Sequence, residues 1–328
     1  MTWTLSGRVK KGALLGVLAL TVFTGAKGLS RSTSSTLTPP IGSFVSVNGK
    51  RVHYHLTGPE DAPAVVLIHG ASGNLRDFTF SLAPELSKDF RVLVFDRPGL
   101  GYSETLHSDG ESPQEQARHL ADATMKIGVQ NPVIVGHSYG ASVAMAWALE
   151  RPDQAAGLVS LGGVLNPWPG GLGAWYDVTG SWLGGITIVP LIATFATKAM
   201  AGRSVSSIFE PDPVPDGYLA YVGSDLTLRS QVLRTNARQV GGLRPYISEM
   251  SEQYDRLELP IEAIHGTEDT IVPLAIHAQP LSERLTNVNL TVLDGVGHMP
   301  HHADPGAAIA AINRASHRAG LRDQGQTR

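Results

Sequence analysis

The chain has 328 residues, 42% hydrophobic and 17% charged, a balance that builds a sizeable core and excludes an intrinsically disordered protein. A formal net charge of -3, with no long run of one sign, leaves no basic footprint, so nucleic acid is not expected as a partner. The absence of cysteine excludes disulfides, thiolate metal sites and cysteine nucleophiles, and does not choose a compartment.

At the amino terminus, Arg8, Lys10 and Lys11 stand before an uncharged, largely apolar stretch from Gly12 to Ala26, the layout of an export signal. A stretch of about 15 residues is shorter than the ~20 that span a bilayer, which favours a cleaved signal peptide. A membrane anchor through residues 12–29, left uncleaved, is the second reading, and a buried amino-terminal helix the third. Both export readings place the body outside the cytoplasm, periplasmic or extracellular, or held at the outer face of a membrane. Residues 30–43 follow as a tether, rich in Ser, Thr and Pro from Ser30 to Pro40.

The folded body begins with Phe44 to Val47 and Arg51 to Leu56, which alternate in β fashion around Asn48-Gly49 and predict an antiparallel hairpin. Short apolar runs then mark buried parallel strands at Val65–Ile68, Val92–Phe95, Val133–Val135, Leu158–Leu161, Ile261–Ile264 and Leu290–Leu293. Helical patterns at Gln114–Ile127, Ala141–Glu150, Pro273–Leu285 and Pro305–Ser316 supply crossovers, so the expected fold class is α/β, a mostly parallel sheet with helices on both faces. The core is expected over residues 44–164 and 257–318, with a frayed tail at 319–328. Between them, residues 165–256 lose the strand-helix rhythm and carry Trp168, Trp175, Tyr176, Trp182, Phe195, Phe209, Tyr218 and Tyr221. An insertion of this length predicts a largely helical lid over the carboxyl edge of the sheet.

Gly136-His137-Ser138-Tyr139-Gly140 is a G-x-S-x-G sequence set between an apolar strand and a helix, the strand-turn-helix context of a nucleophile elbow. The alternative is a glycine-bracketed turn whose serine caps a helix. A serine hydroxyl needs a base to take its proton, and His298 lies just past the last predicted strand, next to Gly295 and Gly297, which let its loop fold toward Ser138. His301 and His302 are close by, and any of the three could be a surface residue. The imidazole needs a carboxylate to hold its tautomer; Asp269, after the Ile261–Ile264 strand, is preferred over its neighbour Glu268.

The order Ser, Asp, His, each after a different strand, resembles the α/β-hydrolase superfamily from Phe44 to about Ser316, in its serine-nucleophile, lid-containing form. The resemblance implies that His69-Gly70-Ala71-Ser72-Gly73 is the family's HG loop, with the amides of Ala71 and Tyr139 forming an oxyanion hole. It also implies that Asp96-Arg97-Pro98-Gly99-Leu100-Gly101-Tyr102-Ser103 is a fixed turn beneath the site, with Ser103 near the pocket wall. The function it implies is cleavage of an ester-type bond by a serine hydrolase, whether carboxylesterase, lipase, lactonase or thioesterase-like. The insertion's aromatic residues suggest a small apolar acyl substrate or an apolar alcohol group, and read equally well as the core of the lid itself. The alternative is a small-molecule binding or receptor protein on the same fold with little turnover. No cofactor is expected, since no G-x-x-x-x-G-K phosphate loop is present, and no metal, since no H-E-x-x-H pair is present and His53 with His55 shares one face of a strand.

Overall fold

Eight short strands, each rich in Val, Ile and Leu, assemble into one sheet in the computed structural model, which describes residues 38–170 and 198–322 with Ser181, Thr187 and Val189 between them. They are β1 (Ser43–Val47), β2 (Lys50–Thr57), β3 (Ala64–Ile68), β4 (Arg91–Phe95), β5 (Val133–His137), β6 (Gly157–Leu161), β7 (Ile261–Gly266) and β8 (Val288–Leu293). The order across the sheet is β1-β2-β4-β3-β5-β6-β7-β8, with β1–β2 and β2–β4 antiparallel and every later pairing parallel. This architecture belongs to the compact unit Pro40–Arg328. The export segment and residues 30–37 of the tether lie outside the described residues, and no described helix is long and apolar enough to cross a membrane.

The β1–β2 turn is Asn48-Gly49, with φ of 50° and 76°; two positive values in succession define the primed turn that matches strand twist. Continuous apolar runs follow from burial on both faces. Val66, Ile68, Leu93, Phe95 and Ile134 point into one core layer, and Val65, Leu67, Val92, Val94 and Val133 into the other. The helices Pro113–Ile127 and Ala278–Arg284 contribute to the first layer, and Leu82–Leu86 and Pro305–Arg318 to the second. Ser112 opens the Pro113–Ile127 helix with a capping box to Glu115, and Gly128 closes it in the left-handed conformation.

Three expectations change. β8 is an edge strand of mixed burial, with Val292 46% exposed, because no strand among the described residues pairs beyond it. Pro273 opens a turn, and the helix proper starts only at Ala278. The reason lies in His277, whose carbonyl accepts from Asn166 Nδ2 at 2.8 Å and whose Nδ1 accepts from the Leu165 and Asn166 amides, so the turn is committed to the chain leaving β6. Ser103, expected near the pocket wall, turns inward instead: its Oγ donates to the Asp96 carbonyl and accepts from the His53 amide.

The segment between β6 and β7 is helical over Lys198–Phe209, Tyr218–Val222, Ser224–Thr227, Ser230–Gly241 and Leu243–Ser251. Of the aromatic residues singled out there, Trp175, Tyr176, Trp182 and Phe195 lie outside the described residues. Phe209 and Tyr218 are buried together with Met299, and Trp168 packs against the main core.

Candidate active site

Ser138 sits at the end of β5 and before the Tyr139–Glu150 helix with φ of 52° and ψ of −119°, a backbone conformation that costs a non-glycine residue about 1–3 kcal/mol. The turn holds it there: the Ser138 amide donates to Leu161 O at 3.0 Å, and its carbonyl accepts from the amides of Ala141 and Val164. A Cβ at Gly136 would lie 2.3 Å from Gly140 O, and one at Gly140 would lie 2.1 Å from Ile68 O, so both glycines are required by close backbone approach.

The structure brings the three predicted side chains into one line. Ser138 Oγ donates to His298 Nε2 at 3.0 Å, and His298 Nδ1 donates to Asp269 Oδ2 at 2.8 Å. All three residues are buried, Ser138 being 8% exposed. Asp269 Oδ1 is anchored by the amides of Ile271 and Val272 at 3.0 and 2.8 Å, which fixes the carboxylate plane before the imidazole arrives. Burial would raise the Asp269 carboxyl, but hydrogen bonds from His265 and His298 hold it well below the usual carboxylate range. Glu268, the rival acid, is exposed. His301 and His302 are not surface residues: both side chains are buried and reach Asp77, at 3.3 and 2.9 Å.

The HG loop lies directly above the elbow, since a Cβ on Gly70 would come within 3.1 Å of Ser138 Cβ. Arg97 pins this loop from below. Its Nε donates to His69 O at 2.9 Å and its Nη2 to Gly70 O at 3.1 Å, while Nη1 donates to Gln116 and Gln239, and the guanidinium lies over the Tyr139 ring. His69 is held in one tautomer, with Nδ1 donating to Gly70 O and Nε2 accepting from the Arg97 amide; burial and the nearby Arg97 push its pKa down to about 4. Ala71 lines a cavity next to the elbow, and Tyr139 opens the helix that follows Ser138.

That cavity encloses about 420 Å³ between the HG loop and the inserted helices. Its walls are mainly apolar, with Val189, Met200, Val205, Ile208 and Phe209 from the insertion facing Ala71 and Met299 from the core. One wall is polar and was not anticipated: Asp77, His137 and Tyr218 meet there, with Tyr218 donating to Asp77 Oδ1 at 2.7 Å. His137, inside the pentapeptide itself, was the one member visible beside a motif. Asp77 and Tyr218, separated by 141 positions, gave no local pattern.

Comparison with known proteins agrees with this architecture. A profile described as the alpha/beta hydrolase fold matches residues 63–305, and the chain belongs to that family. An uncharacterized protein of Mycobacterium tuberculosis is 26% identical over 283 residues, covering 84% of this chain and 81% of its own. The magnesium-chelatase 30 kDa subunit of Rhodobacter capsulatus is 25% identical over 75% of this chain and 84% of its own. Among solved structures, an alpha/beta hydrolase fold protein from Burkholderia ambifaria superposes with a TM-score of 0.69 at 22% identity, covering 84% of this chain and 97% of that one. The enol-lactonase of Burkholderia xenovorans gives 0.68 at 18% identity, over 83% and 99%.

Proposed function

We propose that the protein is a serine hydrolase that cleaves an ester-type bond through an acyl-enzyme. The observation that carries this reading is the continuous relay from Ser138 Oγ to His298 Nε2 and from His298 Nδ1 to Asp269 Oδ2, at 3.0 and 2.8 Å. Because Asp269 accepts from Nδ1, Nε2 is left with its lone pair toward the serine, the arrangement a general base needs.

Ser138 Oγ attacks the substrate carbonyl carbon as His298 Nε2 takes the hydroxyl proton. Negative charge moves to the carbonyl oxygen, where the amides of Ala71 and Tyr139 would donate; one such donor is worth about 2.7–4 kcal/mol in the transition state. Collapse of the tetrahedral species expels the alcohol, which leaves with the proton from His298. Water then attacks the acyl-enzyme by the same sequence in reverse order of groups and frees Ser138. Asp269 balances the imidazolium in each half.

The mainly apolar cavity next to the elbow, lined there by Gly70, Ala71 and His137, favours a small apolar acyl group, and the insertion acts as its lid. Two neighbours in structure carry related names, an esterase from Rhodococcus and the Burkholderia enol-lactonase, which supports the ester class. The test is a series of p-nitrophenyl esters of graded acyl length hydrolysed by the full-length chain. Turnover with a short- to medium-chain optimum, abolished by Ser138→Ala, is expected. Absence of turnover on every ester, together with tight binding of one of them, would favour a receptor on the same fold.

A further inference from the structure

A second set of convergent side chains lies on the polar wall of the cavity and takes no part in the serine chemistry. Asp77, His137 and His301 are all buried, and one donor atom of each lies within 4.8 Å of the others. We propose that Asp77 Oδ2, His137 Nδ1 and His301 Nε2 bind one divalent transition-metal ion of the zinc class.

The proton inventory leads to this site. His137 Nε2 is 2.9 Å from the His298 carbonyl oxygen, which can only accept, so the proton of this ring is on Nε2. With its proton on Nε2, the ring turns Nδ1 toward Asp77 Oδ2 at 4.0 Å, beyond hydrogen-bonding distance. His301 Nε2 stands 3.3 Å from the same oxygen, long for a hydrogen bond between a buried imidazole and a carboxylate. Its Nδ1 is buried with no hydrogen-bond partner among the described residues, and coordination through Nε2 would place the ring proton on that nitrogen. A separation of 3.3 Å is instead close to the ligand-to-ligand edge of a tetrahedron, about 3.4 Å for metal bonds of ~2.0–2.1 Å.

The surrounding contacts are those that orient ligands. Asp77 Oδ1, the oxygen turned away from the site, accepts from Tyr218 Oη at 2.7 Å and from His302 Nε2 at 2.9 Å. His137 donates its remote N–H to a backbone carbonyl. Metal-binding carboxylates and imidazoles are held in this manner from outside the coordination sphere. Two imidazoles and one carboxylate suit zinc and its first-row neighbours and are poor for calcium or magnesium. Asp77 and His137 face the cavity, which leaves the fourth position to water or a bound molecule. An ion here would tie the short helix Arg76–Thr79, the elbow and the short helix Pro300–Ala303 together. This inference does not depend on the ester reading, and it reverses the expectation of no metal. The sequence concealed it because the ligands fall 60 and 164 positions apart, with no helical His pair.

The test uses the full-length chain without an affinity tag, stripped by chelator and titrated with Co2+ and with Zn2+. One equivalent is expected to bind, giving a visible Co2+ spectrum of low-coordinate intensity that Zn2+ displaces. Asp77→Asn and His301→Gln should each weaken binding by at least about 100-fold, and His302→Gln by about 10- to 100-fold. His107→Gln, at an exposed histidine paired with Glu115, should change nothing. If the buried variants do not fold, X-ray absorption at the zinc edge of the wild-type chain decides, with two imidazoles and oxygen expected in the shell. No stoichiometric binding, binding untouched by Asp77→Asn and His301→Gln, or a shell without two imidazoles would overturn the proposal and leave a hydrogen-bonded clamp.

Discussion

Replacing Asp269 with Asn changes one atom and should remove nearly all activity. Oδ1 accepts from the Ile271 and Val272 amides at 3.0 and 2.8 Å, so the amide oxygen of Asn will keep that place and its NH2 will take the position of Oδ2. That NH2 then faces His298 Nδ1 across 2.8 Å, where it can only donate. The imidazole must shift its proton to Nε2, which turns an N–H toward Ser138 Oγ and leaves no base. The same substitution in a well-studied Ser-His-Asp triad lowers kcat by about 10^4-fold, or about 5.5 kcal/mol of activation free energy. The assay is the initial rate on the best p-nitrophenyl ester, with a thermal melt to show an intact fold. The control is Glu268→Gln at the exposed neighbour, expected within about twofold of wild type because the field of an ionised surface group is screened by water and salt. A loss of less than tenfold for Asp269→Asn, or a larger loss for Glu268→Gln, would refute the reasoning.

Stability should fall on mild acidification. His69 and His277 each have a pKa pushed from 6.5 to about 4, chiefly by burial, with Arg97 adding to the effect on His69 and His265 to that on His277. Between these values the unfolded chain takes up protons that the folded one does not, so stability is full above about pH 6.5 and declines toward pH 4, by about 3 kcal/mol per histidine. Urea unfolding at pH 7 and pH 4.5 measures it; equal midpoints would contradict it. The depressed Asp269 carboxyl acts lower, contributing stability above its unfolded value near 3.8 and losing it only in stronger acid. Arg97→Met should destabilise by about 3–5 kcal/mol, since it strips a fully buried cation from the carbonyls of His69 and Gly70 and from two glutamines. Chemical denaturation showing less than about 1 kcal/mol would show that water replaces the guanidinium without cost. A reporter active only after export, fused at Arg328, should give signal, because Arg8, Lys10 and Lys11 precede the apolar segment. A silent export fusion beside a bright cytoplasmic one would reverse the expected topology.

The sheet and the three aligned side chains were legible because each depends on a local pattern. Val65–Ile68 and Val133–Val135 read as strands from unbroken apolar runs, and Ser138, Asp269 and His298 each follow such a run, so a parallel sheet brings their loops to one edge. Features set by distant contacts were not legible. The missing first turns of the helix expected from Pro273 answer to Asn166, 111 positions away, and no propensity within Pro273–Leu285 records that bond. His301 and His302 read equally well as surface residues, because what buries them is Asp77, more than 220 positions earlier. Ser103 was placed at the pocket by resemblance, whereas its partners on β2 and at Asp96 turn it inward.

The central claim is that Ser138 is a nucleophile activated by His298. Incubating the full-length protein with a fluorophosphonate and mapping the adduct by peptide mass spectrometry tests it most directly, since only a serine with a functioning base reacts at an appreciable rate. The account predicts one adduct per chain, on Ser138, absent in Ser138→Ala and slowed by orders of magnitude in His298→Gln. An unlabelled wild-type protein, or an adduct on any other serine, would contradict it.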